Sequence, residues 1–101
     1  MKKQAGEVAA AVGIDGFHAE VQIKNLSEKG FSILSAEAPA LEPGARCRIT
    51  ITPAPESGLA SFEAPVVVRW LSFRQGRHST GFFVEEPSPA LSAFIAKARL
   101  S

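Results

Sequence analysis

Hydrophobic and polar residues alternate along most of this chain, in short runs that glycine, proline and asparagine interrupt. Because successive side chains of a β-strand point to opposite faces, such alternation predicts strands that bury one face. We predict six strands, at residues 7–14, 17–24, 31–35, 46–52, 62–73 and 79–85. The dipeptide Asp15-Gly16 predicts a tight hairpin between the first two, and the polar residues 74–78 predict the tip of the last hairpin.

The last part of the chain has a different period. Apolar residues there recur at the spacing of one helix face: Leu91, Phe94, Ile95 and Ala98. Ser88 can cap a helix whose first position is Pro89, where a missing backbone N–H costs nothing. The chain is therefore predicted to end in an amphipathic helix.

These elements predict an all-β fold, a six-stranded antiparallel barrel whose C-terminal α-helix covers one open end or side. A chain of 101 residues buries one modest core, so we predict a single domain spanning residues 1–101. Alternation places Trp70 on the same face as Val66 and Val68, which favours a position in the core; the alternative is a partner-binding patch that Trp70 forms with Phe82, Phe83 and Phe94. Phe82 and Phe83 must face opposite sides of their strand, so one of them is expected to be exposed, as at a protein interface.

Composition narrows the class of function. The formal net charge of +1 argues against binding a nucleic-acid polymer through bulk charge. No apolar run approaches the roughly 20 residues of a membrane-spanning helix, and no signal-type block follows the N-terminal lysines. We therefore expect a cytoplasmic protein without membrane insertion. The single cysteine, Cys47, is expected to be a small apolar side chain that faces the core.

Catalytic chemistry finds little support in the residue pattern. The chain has no spaced Cys–His pair and no glycine-rich phosphate loop before a helix, and the side chains of Glu85 and Glu86 would diverge on a strand. His18 and His78 are too isolated to be predicted metal ligands. We expect a protein that is not an enzyme, with no catalytic residues, no metal site and no resident cofactor.

Residues 25–30, with the sequence Asn-Leu-Ser-Glu-Lys-Gly, are the most informative stretch, and we call them the motif segment. Taken alone, they predict a tight turn between two strands. In such a turn Asn25 and Ser27 can hydrogen-bond the local backbone, and Gly30 can adopt a positive φ.

Three arginines near the last hairpin form a second candidate site. Arg69, Arg74 and Arg77 can assemble an anion site together with His78. The alternative is that these residues form a solvated hairpin tip. The residue types alone leave both interpretations open.

The motif segment and its surroundings resemble the PilZ domain, a bacterial module best known for binding the second messenger cyclic di-GMP. The family signature, Asp or Asn followed by x-Ser-x-x-Gly, matches residues 25–30. Residues 67–70 and 80–84 fit the family's last two strands, and a predicted helix follows them. The resemblance implies a six-stranded barrel with a C-terminal helix. It also implies that Asn25, Ser27 and Gly30 line the guanine edge of a bound nucleotide.

The second motif of the family, Arg-x-x-x-Arg ahead of the first strand, is altered in this chain. Lys3 stands at the first arginine position and Glu7 at the second. Lysine lacks the planar fork that binds phosphate through two hydrogen bonds, and glutamate would face an anion. Losing two charge-assisted contacts of about 1.5–3 kcal/mol each would weaken binding by several powers of ten. Lys2 and Lys3 remain the candidate phosphate contacts at this end.

The resemblance leads to two main hypotheses about function. In the first, the chain is a stand-alone regulatory adaptor of bacterial motility, type IV pili or surface behaviour. It acts through a protein partner and binds cyclic di-GMP weakly or not at all. In the second, it is a functional cyclic di-GMP receptor, in which Lys2, Lys3 or a distal arginine meets the phosphates and binding alters a partner surface. A structural β domain without any ligand is the third possibility.

Overall fold

The structure is a computed structural model that describes residues 8–14 and 16–100. Its elements in chain order are β1 (Val8–Ile14), β2 (Phe17–Ser27), β3 (Gly30–Ser35), β4 (Arg46–Pro53), a 3-10 turn (Pro55–Ser57), β5 (Phe62–Arg74), β6 (Arg77–Val84) and α1 (Pro89–Leu100). Each predicted strand is present, and so is the predicted helix. Glu7 and Asp15, which the predictions placed in the first strand and its turn, lie outside the described residues.

The six strands pair only in antiparallel fashion, and they close into a barrel in the order β1-β2-β3-β6-β5-β4. Closure comes from β1, which pairs with β2 along one edge and with β4 along the other. A closed barrel leaves few unpaired backbone groups on its strands. The prediction of an all-β antiparallel barrel with a C-terminal helix is confirmed.

Alternate residues of each strand fill the barrel interior. In β2, for example, Val21 and Ile23 are buried while Glu20 and Gln22 between and beside them are exposed. Burying a side chain of this size contributes about 1.5–3 kcal/mol. The rings of Phe31 and Phe82 lie 5.5 Å apart in the same core. Cys47 packs half-buried against this cluster, as predicted for a small apolar side chain.

Helix α1 covers one end of the barrel. The predicted cap is present, because the Leu91 backbone N–H donates to Ser88 Oγ over 3.2 Å. The buried face of the helix consists of Leu91, Phe94 and Ile95. The Phe94 ring lies 5.7 Å from that of Phe62 on β5, and Ser92 Oγ donates to Glu28 Oε2 over 2.7 Å. The helix therefore sits at the end of the barrel where the motif segment turns.

The β5–β6 hairpin extends beyond the neighbouring strand β4. Strand β4 pairs with β5 only as far as Val67, whereas β5 continues in register with β6 to the pair Arg74–Arg77. The turn between these two arginines consists of Gln75 and Gly76, with φ values of 55° and 77°. Positive φ at both positions is typical of the type I′ turn that suits twisted hairpins. We call residues 69–79 the hairpin arm.

The prediction that Trp70 lies in the core is wrong. The register of β5 against β6 shifts between Val68, which pairs with Phe82, and Trp70, which pairs with Gly81. This bulge inserts Arg69 as an extra residue, so the alternation reverses and Trp70 faces outward with 45% of its surface exposed. The indole lies over Gly81, where a Cβ atom would overlap the ring. The missing side chain of Gly81 therefore provides the space in which Trp70 lies.

Candidate functional site

The motif segment contains a second bulge. Lys24 pairs with Ser32 and Ser27 pairs with Gly30, so β2 has one residue more than β3 in this stretch. Asn25 absorbs the irregularity with a φ of 55°, a left-handed conformation that asparagine tolerates better than most residues. The bulge turns Leu26 into the core and leaves Asn25 and Ser27 outside.

The predicted positive φ at Gly30 is wrong, since Asn25 adopts it instead. Gly30 is needed for a different reason. It begins β3 opposite β6, and a Cβ atom at this position would overlap the carbonyl oxygen of Phe82. The glycine of the motif segment thus allows two strands to approach each other closely.

Ser27 closes the turn of the motif segment. Its hydroxyl donates to the Gly30 carbonyl over 3.1 Å and accepts from the Lys29 backbone N–H over 3.3 Å. The Val84 N–H donates to the Lys29 carbonyl over 2.9 Å, which ties the turn to β6. The local bond predicted for Ser27 is therefore present. The one predicted for Asn25 is not, because within the described residues its exposed side-chain amide has no hydrogen-bond partner.

The motif segment forms one wall of an open cleft of about 450 Å³, which we call the motif cleft. Its main lining residues are Asn25, Ser27, Gly30, Arg69, Trp70 and Phe83. The structure thus brings Arg69, from the predicted arginine cluster, to the motif. The Arg69 guanidinium carbon lies 5.9 Å from the centre of the Phe83 ring, within cation–π range. An amide, a cation and two aromatic side chains suit a planar anionic group or an aromatic and acidic protein surface.

The other predicted arginines line a separate groove. Arg74 and Arg77 flank a groove of about 510 Å³ together with Lys24 and Trp70, and we call it the arginine groove. Trp70 lines both the motif cleft and the arginine groove. His78 does not join the arginines as predicted, because its ring packs 4.5 Å from that of Phe73. Among the described residues, none of the three arginines forms an ion pair.

Lys2, Lys3 and Glu7 lie outside the described residues. Their predicted place beside a bound phosphate therefore stays a prediction. The same holds for the ligand roles of Asn25, Ser27 and Gly30. The structure places these three on one cleft.

Comparison with known protein families gives a match that includes the motif segment. The family model of the PilZ domain matches residues 7–96, which include the whole barrel and most of the helix. The chain belongs to the PilZ family. Members of this family are binding and adaptor modules of cyclic di-GMP signalling. Neither the curated proteins nor the solved structures with which the chain was compared include a match.

In this PilZ domain the large exposed hydrophobic side chains of the described residues all lie on β5 and β6. They are Trp70, Phe73 and Phe83, with 45%, 61% and 39% of their surfaces exposed. Of the neighbouring pair, Phe83 is exposed and Phe82 is buried, so the prediction that one faces solvent is confirmed. Alternation could not reveal Trp70, because a bulge precedes it. The glycine opposite Trp70, inside a strand, was the available signal.

Two further observations concern the described residues of this PilZ domain. Over the described part of the chain, no helix is both long enough and apolar enough to cross a membrane. In the same residues no three His, Cys, Asp or Glu side chains cluster in a way that could hold a metal ion.

Proposed function

We propose that this PilZ domain is an adaptor of cyclic di-GMP signalling that binds a protein partner through β5 and β6 and binds the nucleotide weakly or not at all. The observation that carries the proposal is the concentration of exposed aromatic side chains on one hairpin. The cellular setting that we propose, the cytoplasm and the control of motility, pili or surface behaviour, rests on the family alone.

The chemistry of the hairpin supports a protein interface. Aromatic residues and arginine are enriched at the energetic centres of interfaces, because they offer large contact areas and directional hydrogen bonds. Trp70 and Phe83 are both exposed in the motif cleft, and Arg69 lies against Phe83. Outside β5 and β6, the large apolar side chains of the described residues are buried or half-buried. A partner that covers this face would remove exposed aromatic surface from water.

Weak nucleotide binding follows from the charges near the motif cleft. A cyclic dinucleotide has two phosphates, and each needs charge-assisted donors to offset its loss of water. Among the described residues that line the cleft, Arg69 and Lys29 are the cations. The family's arginine positions hold Lys3 and Glu7 in this sequence. The Ser27 hydroxyl already donates its proton to Gly30.

The adaptor proposal predicts that partner capture depends on the exposed aromatics. Purified wild-type protein, Trp70→Ala and Phe83→Ala are immobilised at equal density and incubated with an extract of the source cells. We expect wild type to retain specific proteins, and we expect each variant to lose them by roughly tenfold or more, because hot-spot truncations cost about 2 kcal/mol. Quantitative mass spectrometry measures the retained proteins.

The matched control for this capture is Ser61→Ala, an exposed position just before β5, at the opposite end of that strand from the hairpin arm. It should retain the same proteins as wild type. Thermal unfolding of each variant checks that the barrel is intact. Equal retention by wild type, Trp70→Ala and Phe83→Ala would contradict the proposed interface.

The second candidate function is a cyclic di-GMP receptor, and one observation favours it. Asn25, whose amide has no partner among the described residues, lines the same cleft as Arg69 and Trp70. The amide can hydrogen-bond a guanine edge, the indole can stack on the base, and the guanidinium can meet one phosphate.

Calorimetric titration with cyclic di-GMP separates the two functions. If the chain is an adaptor only, we expect no binding heat at concentrations below roughly 100 μM. Asn25→Gly is the informative variant, because a φ of 55° suits glycine and only the amide is removed. Micromolar binding that Asn25→Gly and Arg69→Ala abolish would establish the receptor. Binding that depends on Arg74 or Arg77 instead would assign the nucleotide to the arginine groove.

A further inference from the structure

The hairpin arm has a backbone edge without a neighbouring strand. On one side, β5 pairs with β6 up to Arg74. On the other side, its last bonds join Val68 to the chain before β4: the Val68 N–H donates to the Ala45 carbonyl over 2.9 Å, and the Val68 carbonyl accepts from the Gly44 N–H over 2.7 Å. Beyond Val68, none of the described residues pairs with this side of β5. We call residues 69–74 of β5 the free edge.

The register shows which backbone groups point outward along the free edge. Residues that flank a two-residue hairpin turn exchange both hydrogen bonds, and bonded and non-bonded pairs then alternate along an antiparallel ladder. Arg74 and Ser72 therefore point their N–H and C=O groups at β6, whereas Phe73 and Leu71 point theirs away from it. The free edge thus offers two donors and two acceptors in the arrangement that an added strand requires.

The chain itself leaves the place where a further strand would lie. Residues that precede β4 would continue along the free edge if they were extended. Instead, Gly44 adopts a φ of 91° and turns the chain away, and Pro43 before it has no N–H to donate. A segment of another molecule can therefore occupy this position. The free edge is about 20 Å long, enough for a typical strand.

Charge indicates what kind of segment fits. Residues 67–81 contain three arginines and no Asp or Glu. Arg69, Arg74 and Arg77 are exposed, and none forms an ion pair within the described residues. They lie on the outer face with Trp70, whereas Leu71 and Phe73 lie on the opposite face. A strand with acidic residues on one face and apolar residues on the other would complement both faces.

We propose that the free edge binds an extended segment of the partner protein as an added β-strand, and that this segment alternates acidic and apolar residues. The proposal rests on the adaptor function proposed above and specifies how the partner is recognised. Backbone hydrogen bonds to Leu71 and Phe73 hold the segment, as in other cases of β-strand addition. The arginines select acidic side chains by charge.

A second copy of the chain fits the free edge less well. Pairing the free edges of two copies would bring Arg69 and Arg74 of both chains into one short ribbon, to which neither copy contributes an Asp or Glu. Bringing like charges together disfavours a partner. Charge therefore favours an acidic partner over self-association.

The first test uses two synthetic peptides of about eight residues, enough to cover the free edge. One alternates glutamate with valine and the other alternates lysine with valine. We expect the glutamate peptide to bind at least roughly tenfold more tightly by fluorescence anisotropy, with an affinity that falls as salt rises. Equal binding of the two peptides, or no binding of the glutamate peptide, overturns the proposal.

Amide hydrogen exchange, read by NMR, tests the geometry directly. With the glutamate peptide bound, exchange at Leu71 and Phe73 should slow by roughly tenfold or more. The amides of Ser72 and Arg74 bond to β6 without any peptide, so they serve as internal controls and should change little. Protection that is absent at Leu71 and Phe73 contradicts strand addition.

A pair of variants at Phe73 separates the contribution of the backbone N–H to peptide binding from that of the side chain. Phe73→Ala removes the ring and keeps the N–H, whereas Phe73→Pro removes both. Proline is tolerated where the N–H of an edge strand faces solvent, and circular dichroism checks folding. Strand addition predicts that proline weakens binding of the glutamate peptide at least roughly fivefold more than alanine does. Equal losses would mean that only side chains are recognised and would overturn the proposal.

The outcomes also distinguish this inference from the adaptor function. If capture from the extract depends on Trp70 and Phe83 but is the same for Phe73→Pro and Phe73→Ala, the adaptor stands and strand addition fails. If capture depends on none of these residues, the adaptor function fails as well. A dimer in sedimentation experiments that Phe73→Pro abolishes would assign the free edge to a second copy and would overturn the acidic-partner proposal.

Discussion

Replacing Gly30 with alanine should destabilise the barrel by about 3 kcal/mol, the upper part of the range for overpacked positions. The new Cβ atom would overlap the Phe82 carbonyl oxygen, which is part of the backbone and cannot rotate away as a side chain would. Relief requires β3 to move from β6 where Gly30 pairs with Phe83 and Phe31 with Phe82. Since small domains have only about 5–15 kcal/mol of stability, the loss should be obvious in urea denaturation.

Gly58→Ala is the matched control for Gly30→Ala. Gly58 has a φ of 75°, and nothing would lie within 4 Å of an added Cβ. Its replacement should therefore cost only the strain of a left-handed alanine, about 1 kcal/mol. If the two variants lose equal stability, the close approach of β3 and β6 does not explain the glycine of the motif segment.

Truncating Leu91 to alanine should cost about 3 kcal/mol, within the range for fully buried leucines. Leu91 has no exposed surface, and it belongs to the face with which α1 covers the barrel. The substitution leaves a cavity beneath a short helix that has little stability without its packing. Urea denaturation measures the loss of free energy, and far-ultraviolet circular dichroism shows whether the helix remains formed.

Ser92→Ala is the control on the same helix. It removes the exposed hydrogen bond to Glu28 and leaves the buried face unchanged. Surface changes of this kind alter stability by at most about 0.5 kcal/mol. If Leu91→Ala costs no more than Ser92→Ala, then α1 does not seal the barrel.

Local pattern was sufficient for most of the fold. Strict alternation, as in residues 17–24, reports burial on one face only, and this property survives in the assembled barrel. The end helix was equally visible, because its apolar spacing and its Ser88-Pro89 start are local features. Where a strand is regular, the two-residue period of its hydrophobic positions therefore identifies the buried face directly.

Pattern failed at the two bulges. An extra residue reverses every later side chain of a strand, and alternation alone does not mark where it lies. Arg69 is such a residue, and Trp70 was consequently assigned to the wrong face. Asn25 is the other, and it adopts the positive φ that was predicted for Gly30. Both bulges border the motif cleft, so the candidate site is where local reasoning was least accurate.

For the motif segment, some features followed from the sequence and others required the tertiary structure. Its residues were enough to indicate the PilZ family and a turn closed by Ser27, because turn chemistry involves neighbours in the chain. They could not show that Gly30 is required by the Phe82 carbonyl, or that Arg69 lies across the cleft. Those contacts join residues that are far apart in sequence, and only the pairing of β3, β6 and β5 brings them together.

By itself, the sequence of this protein determined the class of fold, the positions of its strands and helix, and its family, because these depend on local periodicity and short motifs. The tertiary structure alone decided which aromatic side chains are exposed, where the motif cleft and the arginine groove lie, and where β5 has a free edge. Each of these depends on register and on where a neighbouring strand stops. Register is set by the packing of the whole barrel, which no single segment encodes.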